Sequence, residues 1–266
     1  MSKHPPDAGA RPASSDTFVE AFARGLDLLR AFGRDAPALT ISEAAARAGM
    51  TRAGARRLLH TLLALGYARQ DGGSFRLTPK VLVLGQAYLS SLSLREAAQP
   101  VLDRLADSLD EVAALSILEG GEIVFVARAE RRSPLARGIG LGGRLPAFAT
   151  SMGRVLLAGL DPAQARERLE AKPLAAWTRF TRRSVPVLMR ELGEIRARGY
   201  AVVSEELELG VCGIAAPVHD AQGRVVAAVN VSTNLARHSR TGIAKAFLPA
   251  LRSAAGEISD GLRAAR

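Results

Sequence analysis

The stretch from residue 40 to residue 77 constrains this chain more than any other, because it sets two short helices, a glycine turn and a basic hairpin in immediate succession. Thr40-Ile41-Ser42-Glu43 has the capping-box pattern, in which a threonine hydroxyl and a glutamate three residues on satisfy each other's orphan amides. A short helix therefore starts here, and Ala44, Ala45 and Ala48 let it pack closely. Gly49 supplies the turn, and Thr51 takes the cap position of a second helix predicted from Arg52 to about Leu65, ended by Gly66. On that helix Ala55, Leu58, Leu59, Leu62 and Leu65 form an inward face, while Arg52, Arg56 and His60 recur at four-residue steps on another. Two strands, Tyr67 to Gln70 and Ser74 to Leu77, flank Asp71-Gly72-Gly73, a tight-hairpin signal. Upstream, Phe18, Phe22, Leu26, Leu29 and Phe32 mark the apolar face of a helix broken by Gly33 and Pro37. This order is that of a winged helix-turn-helix.

A basic helix face standing alone is usually just solvated. Here the turn before it and the basic hairpin after it point instead to insertion in a DNA major groove, where arginine pairs bidentately with guanine edges. The candidate DNA contacts are Thr40, Thr51, Arg52, Ala53, Arg56, Arg57 and His60, with Arg69 and Arg76 on the hairpin. The leading residues of a recognition helix enter the groove first, so Arg52, Ala53 and Arg56 are expected at base edges and Arg57 and His60 nearer phosphates. The wing arginines suit phosphate or minor-groove contacts. Charge agrees: the chain carries a net +10, and its first 80 residues hold 12 Lys/Arg against 7 Asp/Glu, a denser excess than the 24 against 19 in the rest.

At 266 residues the chain has room for two domains. Residues 1–16 mix Pro, Ala, Ser and charge and read as a disordered tail rather than a signal peptide. Residues 17–78 form the DNA-binding domain, and Thr78-Pro79 opens a connecting helix to about Ser91, giving a linker over 79–93. Residues 94–266 form the second domain. A helix from Leu94 to Leu109 precedes a hairpin, Val112 to Leu118 and Glu122 to Arg128, around Glu119-Gly120-Gly121. Strands near Tyr200 to Val203, Gly213 to Val218 and Val225 to Ser232 alternate with helices at Ser151 to Leu160, Pro162 to Ala171, Pro186 to Arg198 and Ile243 to Leu262. The expected class is α+β, an antiparallel sheet with flanking helices.

Several chemistries find no support. No apolar run approaches the roughly 18 residues of a membrane span. A single cysteine, Cys212, forbids an intramolecular disulfide and suits a reducing cytoplasm. The glycines from Gly138 to Gly143 lack the strand-loop-helix frame of a nucleotide loop, and Cys212 with His219 is a weak nucleophile-base pair. His4, His60, His219 and His238 are scattered without metal-ligand spacing. No catalytic residue, cofactor or metal is expected.

The chain resembles the IclR family of bacterial regulators from Phe18 to about His238. The resemblance is carried by Ser42-Glu43-Ala44-Ala45 through Arg57-Leu58-Leu59, by Leu145-Pro146-Ala147 with Ser151-Met152-Gly153-Arg154-Val155-Leu156-Leu157-Ala158, and by Gly199-Tyr200-Ala201-Val202, Glu205-Glu206-Leu207-Glu208-Leu209-Gly210 and Ile214-Ala215-Ala216-Pro217-Val218. Phe22-Ala23-Arg24-Gly25-Leu26, Ser90-Ser91-Leu92-Ser93-Leu94 and Thr150-Ser151-Met152-Gly153-Arg154 are similar to its protocatechuate- and para-hydroxybenzoate-responsive branch. The resemblance implies a homodimer or dimer of dimers with a GAF-like α/β effector-binding domain that senses a small organic acid. It places the pocket at Ser151, Met152, Gly153, Val203, Val211, Gly213, Asn230 and Ser232. Many members carry an acidic residue where Val203 stands and a cysteine or serine where Gly213 stands, so the pocket here suits an aromatic carboxylate better than a very small acid. Its carboxylate is expected at the free amides of Ser151, Met152 and Gly153, without a buried arginine. The alternatives are a regulator responding to a non-aromatic acid of the glyoxylate, pyruvate or sugar-acid type, and an enzyme built on the second domain.

Overall fold

Thr40 opens a helix as its sequence pattern predicts. Its hydroxyl accepts the Glu43 amide at 3.3 Å, and the Glu43 carboxylate accepts the Thr40 amide at 2.8 Å. That amide first, and then the Thr40 hydroxyl, hold the Glu43 carboxyl below its ordinary pKa. The computed structural model describes residues 18–33, 35–84, 93–129, 140–238 and 242–264, and the chain divides into two compact units, Met1–Tyr88 and Leu89–Arg266. The expected tail at 1–16 lies outside the described residues.

In the first unit, α1 (Glu20–Arg30), α2 (Ile41–Arg47) and α3 (Arg52–Ala64) pack against a small antiparallel sheet of order β1-β3-β2, with β1 Leu39–Thr40, β2 Ala68–Asp71 and β3 Ser74–Leu77. Its core joins Leu28, Leu39, Ala44, Ala45, Ala55, Leu59 and Phe75. The aspartate-glycine hairpin forms with Gly72 at φ +60°, where only glycine is unstrained. Two expectations need correction. The inward residue of α1 is Leu28, while Phe22 is 69 % exposed, because the periodicity marks an apolar stripe without saying which neighbour meets the core of the same chain. Leu65 is 53 % exposed, since α3 closes at Ala64 and Leu65 is its C-cap, one position beyond the turn whose Leu62 and Leu63 still pack on the core.

A 3-10 turn, Pro79–Val81, follows the wing; residues 85–92, where the connecting helix was expected to continue, lie outside the described residues. The second unit runs α4 (Ser93–Leu109), β4 (Val112–Glu119), β5 (Glu122–Ala129), β6 (Arg144–Pro146), α5 (Ser151–Gly159), α6 (Pro162–Glu170), α7 (Val185–Arg198), β7 (Ala201–Ser204), β8 (Val211–His219), β9 (Val225–Asn234) and α8 (Gly242–Ala264). Its six strands form one sheet of order β6-β5-β4-β9-β8-β7 with every pair antiparallel. The α+β class is as expected. The short edge strand β6 was not, since three residues ending in proline show no alternation to read.

Strand alternation separates two cores. On one face Ile214, Ala216, Val218, Val229 and Val231 pack with Leu102 and Leu105 of α4 and Leu251 and Ile258 of α8. On the other Ala114, Ala215 and Ala228 meet Met152, Val155 and Leu156 of α5, which is backed by Leu188, Leu192 and Ile195 of α7. Alanines on the sheet let α5 lie close, and every residue from Ser151 to Ala158 is buried. A Cβ at Gly153 would stand 2.1 Å from the Ala147 carbonyl oxygen, and one at Gly159 would stand 2.5 Å from the Val225 Cβ. Helix α5 is thereby pinned at both ends, and its first turn stays at the mouth of the space between α5 and the sheet.

Candidate functional site

That space is a cavity of about 110 Å³. Thr150, Ser151 and Met152 line it from the start of α5, Val203 from β7, Val211 and Gly213 from β8, and Asn230 and Ser232 from β9. Register explains the grouping. Val203, Gly213 and Ser232 lie side by side across three neighbouring strands, and Asn230 shares the face of Ser232 two residues away. Seven of the eight sequence-proposed pocket residues therefore meet at one place.

Gly153 is the eighth, and it is not part of the lining. It packs against the Ala147 backbone, and its amide donates to the Thr150 hydroxyl at 3.1 Å. The Gly153 amide, one of the three expected to meet an anion, is therefore taken up by the helix cap. Asn230 Nδ2 donates to Ser232 Oγ at 2.8 Å, which ties the two β9 side chains together. Ser116 Oγ donates to Met152 Sδ at 3.1 Å and fixes that thioether in the wall.

The remaining lining was not read from the sequence: Phe125, Leu145 and Ala149, and the loop after β7 with Glu205, Glu206, Leu207 and Glu208. Glu205 holds φ +59°, and its carboxylate accepts the Gly210 amide at 3.0 Å. The hydroxyls of Thr178 and Thr181 donate to the Glu205 and Glu206 carbonyls, both at 2.6 Å. Arg154 completes the tie. Its guanidinium is fully buried and donates to the Phe148 carbonyl at 2.8 Å, to Glu191 at 2.9 Å and to Glu206 at 2.6 Å. Arg182 pairs with Glu191 and gives its amide to Glu206 at 2.9 Å. Burial works against the charge of Arg182, but Glu191 and then Glu206 outweigh it and raise its pKa. A buried arginine is thus present beside the cavity without lining it, and its charge is spent on two glutamates.

In the first unit Arg52, Ala53, Arg56, Arg57 and His60 are exposed along α3, and Arg69 is exposed on the wing with Arg76 half-buried. None of Arg52, Arg56, Arg57, Arg69 and Arg76 has an ion-pair partner among the described residues. Arg69 and Arg76 stand directly opposite across the hairpin, an arrangement that repels unless an anion meets both. His60 packs edge-on to Phe75 at 5.8 Å between ring centroids. Thr40 is occupied by its capping box, and Thr51 accepts the Gly54 amide at 3.1 Å, so both threonines set the helix starts of this surface. Among the described residues no helix is long and apolar enough to cross a membrane.

Residues 21–72 match the family model of the IclR helix-turn-helix domain, and residues 86–260 match that of the bacterial transcriptional regulator IclR C-terminal domain. The Pca regulon regulatory protein of Pseudomonas putida is 44 % identical over 246 residues, covering 92 % of this chain and 84 % of that protein. The p-hydroxybenzoate hydroxylase transcriptional activator of Acinetobacter baylyi is 37 % identical over 263 residues, covering 94 % and 96 %. A crystal structure of an IclR homolog from Microbacterium hydrocarbonoxydans, complexed with 4-hydroxybenzoate, superposes with a TM-score of 0.82 at 28 % identity, covering 92 % of this chain and 99 % of that one.

The Arg154 cluster yields a stability prediction. Replacing Arg154 by methionine leaves two buried carboxylates short of their cation and should cost about 3–5 kcal/mol, read as a lower denaturation midpoint of the second unit. Adding Glu206→Gln to that variant removes one uncompensated charge and should recover part of the loss.

Proposed function

Because the chain belongs to the IclR family of bacterial transcriptional regulators, we propose that it controls genes of aromatic-acid catabolism in response to a small aromatic carboxylate. The relatives are regulators and not enzymes, and so is this chain. In this reading residues 17–78 bind the operator, 79–93 connect, and 94–266 bind the effector, in a homodimer or dimer of dimers working in the cytoplasm. The exposed Val19, Phe22 and Leu26 on and beside α1 support self-association, since a monomer gains nothing from leaving them in water.

The observation that carries the effector assignment is a cavity that sets apolar side chains and uncharged hydrogen-bond donors around one space. Phe125, Leu145, Met152, Val203 and Val211 offer surface for a ring, and Ser151, Asn230 and Ser232 offer donors to a carboxylate together with the free first-turn amides of α5. The cavity is of the same order as those of about 150 Å³ that take a benzene ring in other proteins. A two- or three-carbon acid would leave the apolar walls without a partner and a sugar acid would set its hydroxyls against them, so the glyoxylate, pyruvate or sugar-acid alternative is not favoured.

On the DNA side, Arg52, Ala53 and Arg56 face base edges, Arg57 and His60 lie nearer phosphates, and Arg69 and Arg76 serve phosphate or minor-groove contacts. Arg56→Ala should lower operator affinity about tenfold or more and leave non-specific binding nearly unchanged, as a bidentate base contact of about 1–3 kcal/mol requires. Binding assays on operator and scrambled DNA at one salt concentration check this. Calorimetric titration with a panel of benzoates and short keto acids tests the effector. Binding of 4-hydroxybenzoate or protocatechuate is expected, and tight binding of glyoxylate or pyruvate with no response to any aromatic acid overturns the assignment.

A further inference from the structure

Helix α3, which presents the basic face, is closed twice over at its C-terminal end. Gly66 takes φ +76° just after the C-cap Leu65. Its amide donates to the Leu63 carbonyl at 3.0 Å and the Tyr67 amide to the Leu62 carbonyl at 2.8 Å, the two bonds of a Schellman motif. The next carbonyls are met from further along the chain. The Leu65 carbonyl accepts Lys80 Nζ at 2.8 Å, and the Gly66 carbonyl accepts the Thr78 hydroxyl at 2.6 Å. The Thr78 amide donates to the Tyr67 carbonyl at 2.9 Å.

Thr78-Pro79 in the sequence predicts a threonine that caps the connecting helix, yet its hydroxyl makes no cap bond and turns back to α3 instead. Lys80 turns back with it. Its side chain crosses Gly66, where a Cβ would stand 3.8 Å from Lys80 Cδ, and its ammonium lies 5.1 Å from the centre of the Tyr67 ring. An exposed lysine ordinarily keeps its rotamer freedom in water. This one meets a helix-end carbonyl, the negative end of the α3 dipole and an aromatic face at once. Thr78 and Lys80 flank Pro79 at the start of the 3-10 turn Pro79–Val81, where the connecting segment begins. Within the first unit, the end of α3 and the start of the connector are therefore fastened to each other.

We infer that Lys80, seconded by Thr78, is a positioning residue that makes α3 follow the connector, so that a displacement of the connector on effector binding reaches the arginines of the basic face. The inference rests on the reading above, in which one unit binds the operator and the other an aromatic acid, and deepens it by naming where the two functions join on the DNA side. The helix itself does not depend on this clasp: the Thr51 cap, the Schellman closure and the core contacts of Ala55 and Leu59 are made without Lys80. Removing the clasp leaves α3 formed and frees its end from the connector.

The test measures operator affinity of the whole protein and of its Lys80→Met, Lys80→Arg and Thr78→Val variants, with and without saturating 4-hydroxybenzoate, at one salt concentration. The DNA is a duplex that the wild-type protein selects from random sequence. The larger of the two affinities over the smaller is the coupling factor. Lys80→Met should reduce that factor by at least about threefold, the value of one lost hydrogen bond, while its affinity for 4-hydroxybenzoate without DNA stays within about twofold of wild type. Lys80→Arg, which keeps a donor and a cation that stacks on an aromatic ring, should retain the wild-type factor. Thr78→Val should act in the same direction as Lys80→Met, and it carries the comparison should Lys80→Met unfold. A lysine that only steadied the fold, or that met a DNA phosphate, would change operator affinity equally with and without effector. An unchanged factor in Lys80→Met and Thr78→Val therefore overturns the inference and leaves the regulator reading standing. A loss that Lys80→Arg shares in full also overturns it, because a cation is then not what fastens the helix. A wild-type protein whose operator affinity is the same with and without 4-hydroxybenzoate overturns both, and the wild-type titration alone tells that case apart.

Discussion

A guanidinium with no exposed surface is costly unless every donor and every unit of charge is answered, and Arg154 is that case in this chain. Its answers come from three directions: the Phe148 carbonyl just before α5, Glu191 on α7 and Glu206 on the loop after β7. Meeting them fixes α5 against α7 and holds the loop that walls the cavity. The rest of the site follows from that placement. With α5 locked, Thr150 caps its first turn, Ser151 and Met152 face the sheet, and Ser116 secures the Met152 sulfur. A buried ion pair is a poor source of net stability but a good source of uniqueness, since a shifted loop would leave Glu206 without its cation. Thr178, Thr181 and Arg182 add the same preference from one segment.

Local chemistry was legible in the sequence wherever a short-range rule decides structure. The capping box at Thr40, the Thr51 cap, the Gly72 hairpin and the left-handed Gly199 that ends α7 each depend on residues within four positions of one another. The α+β class followed from the change of period after Leu109. Edges and faces were harder. Strand β6 is too short to alternate, and the α1 pattern could not separate a face that meets the core, at Leu28, from one left in solvent at Phe22.

For the cavity, the resemblance carried seven lining positions because strand alternation and the helix start bring them together. It also carried Gly153, a glycine demanded by contact with Ala147 and therefore indistinguishable in sequence from one demanded by a ligand. The loop glutamates and the Arg154 network were not legible as parts of the site. Arg154 and Glu206 are 52 residues apart and read singly as surface charges; only tertiary packing makes them partners. Phe125 and Leu145 carry no polar signal, so nothing local separated ring-binding surface from ordinary core.

The two units are built differently: α3 and the wing present arginines without acidic partners among the described residues, and the second unit holds a cavity lined by apolar side chains with Ser151, Asn230 and Ser232. A regulator requires that these be coupled, and coupling is reciprocal for binding free energies. The direct measurement is a pair of titrations at one salt concentration: operator affinity with and without saturating 4-hydroxybenzoate, and 4-hydroxybenzoate affinity with and without saturating operator. The account predicts that each ligand changes the other's affinity by the same factor, on the order of five- to 150-fold. Tight binding of both ligands with neither affinity altered by the other would contradict it.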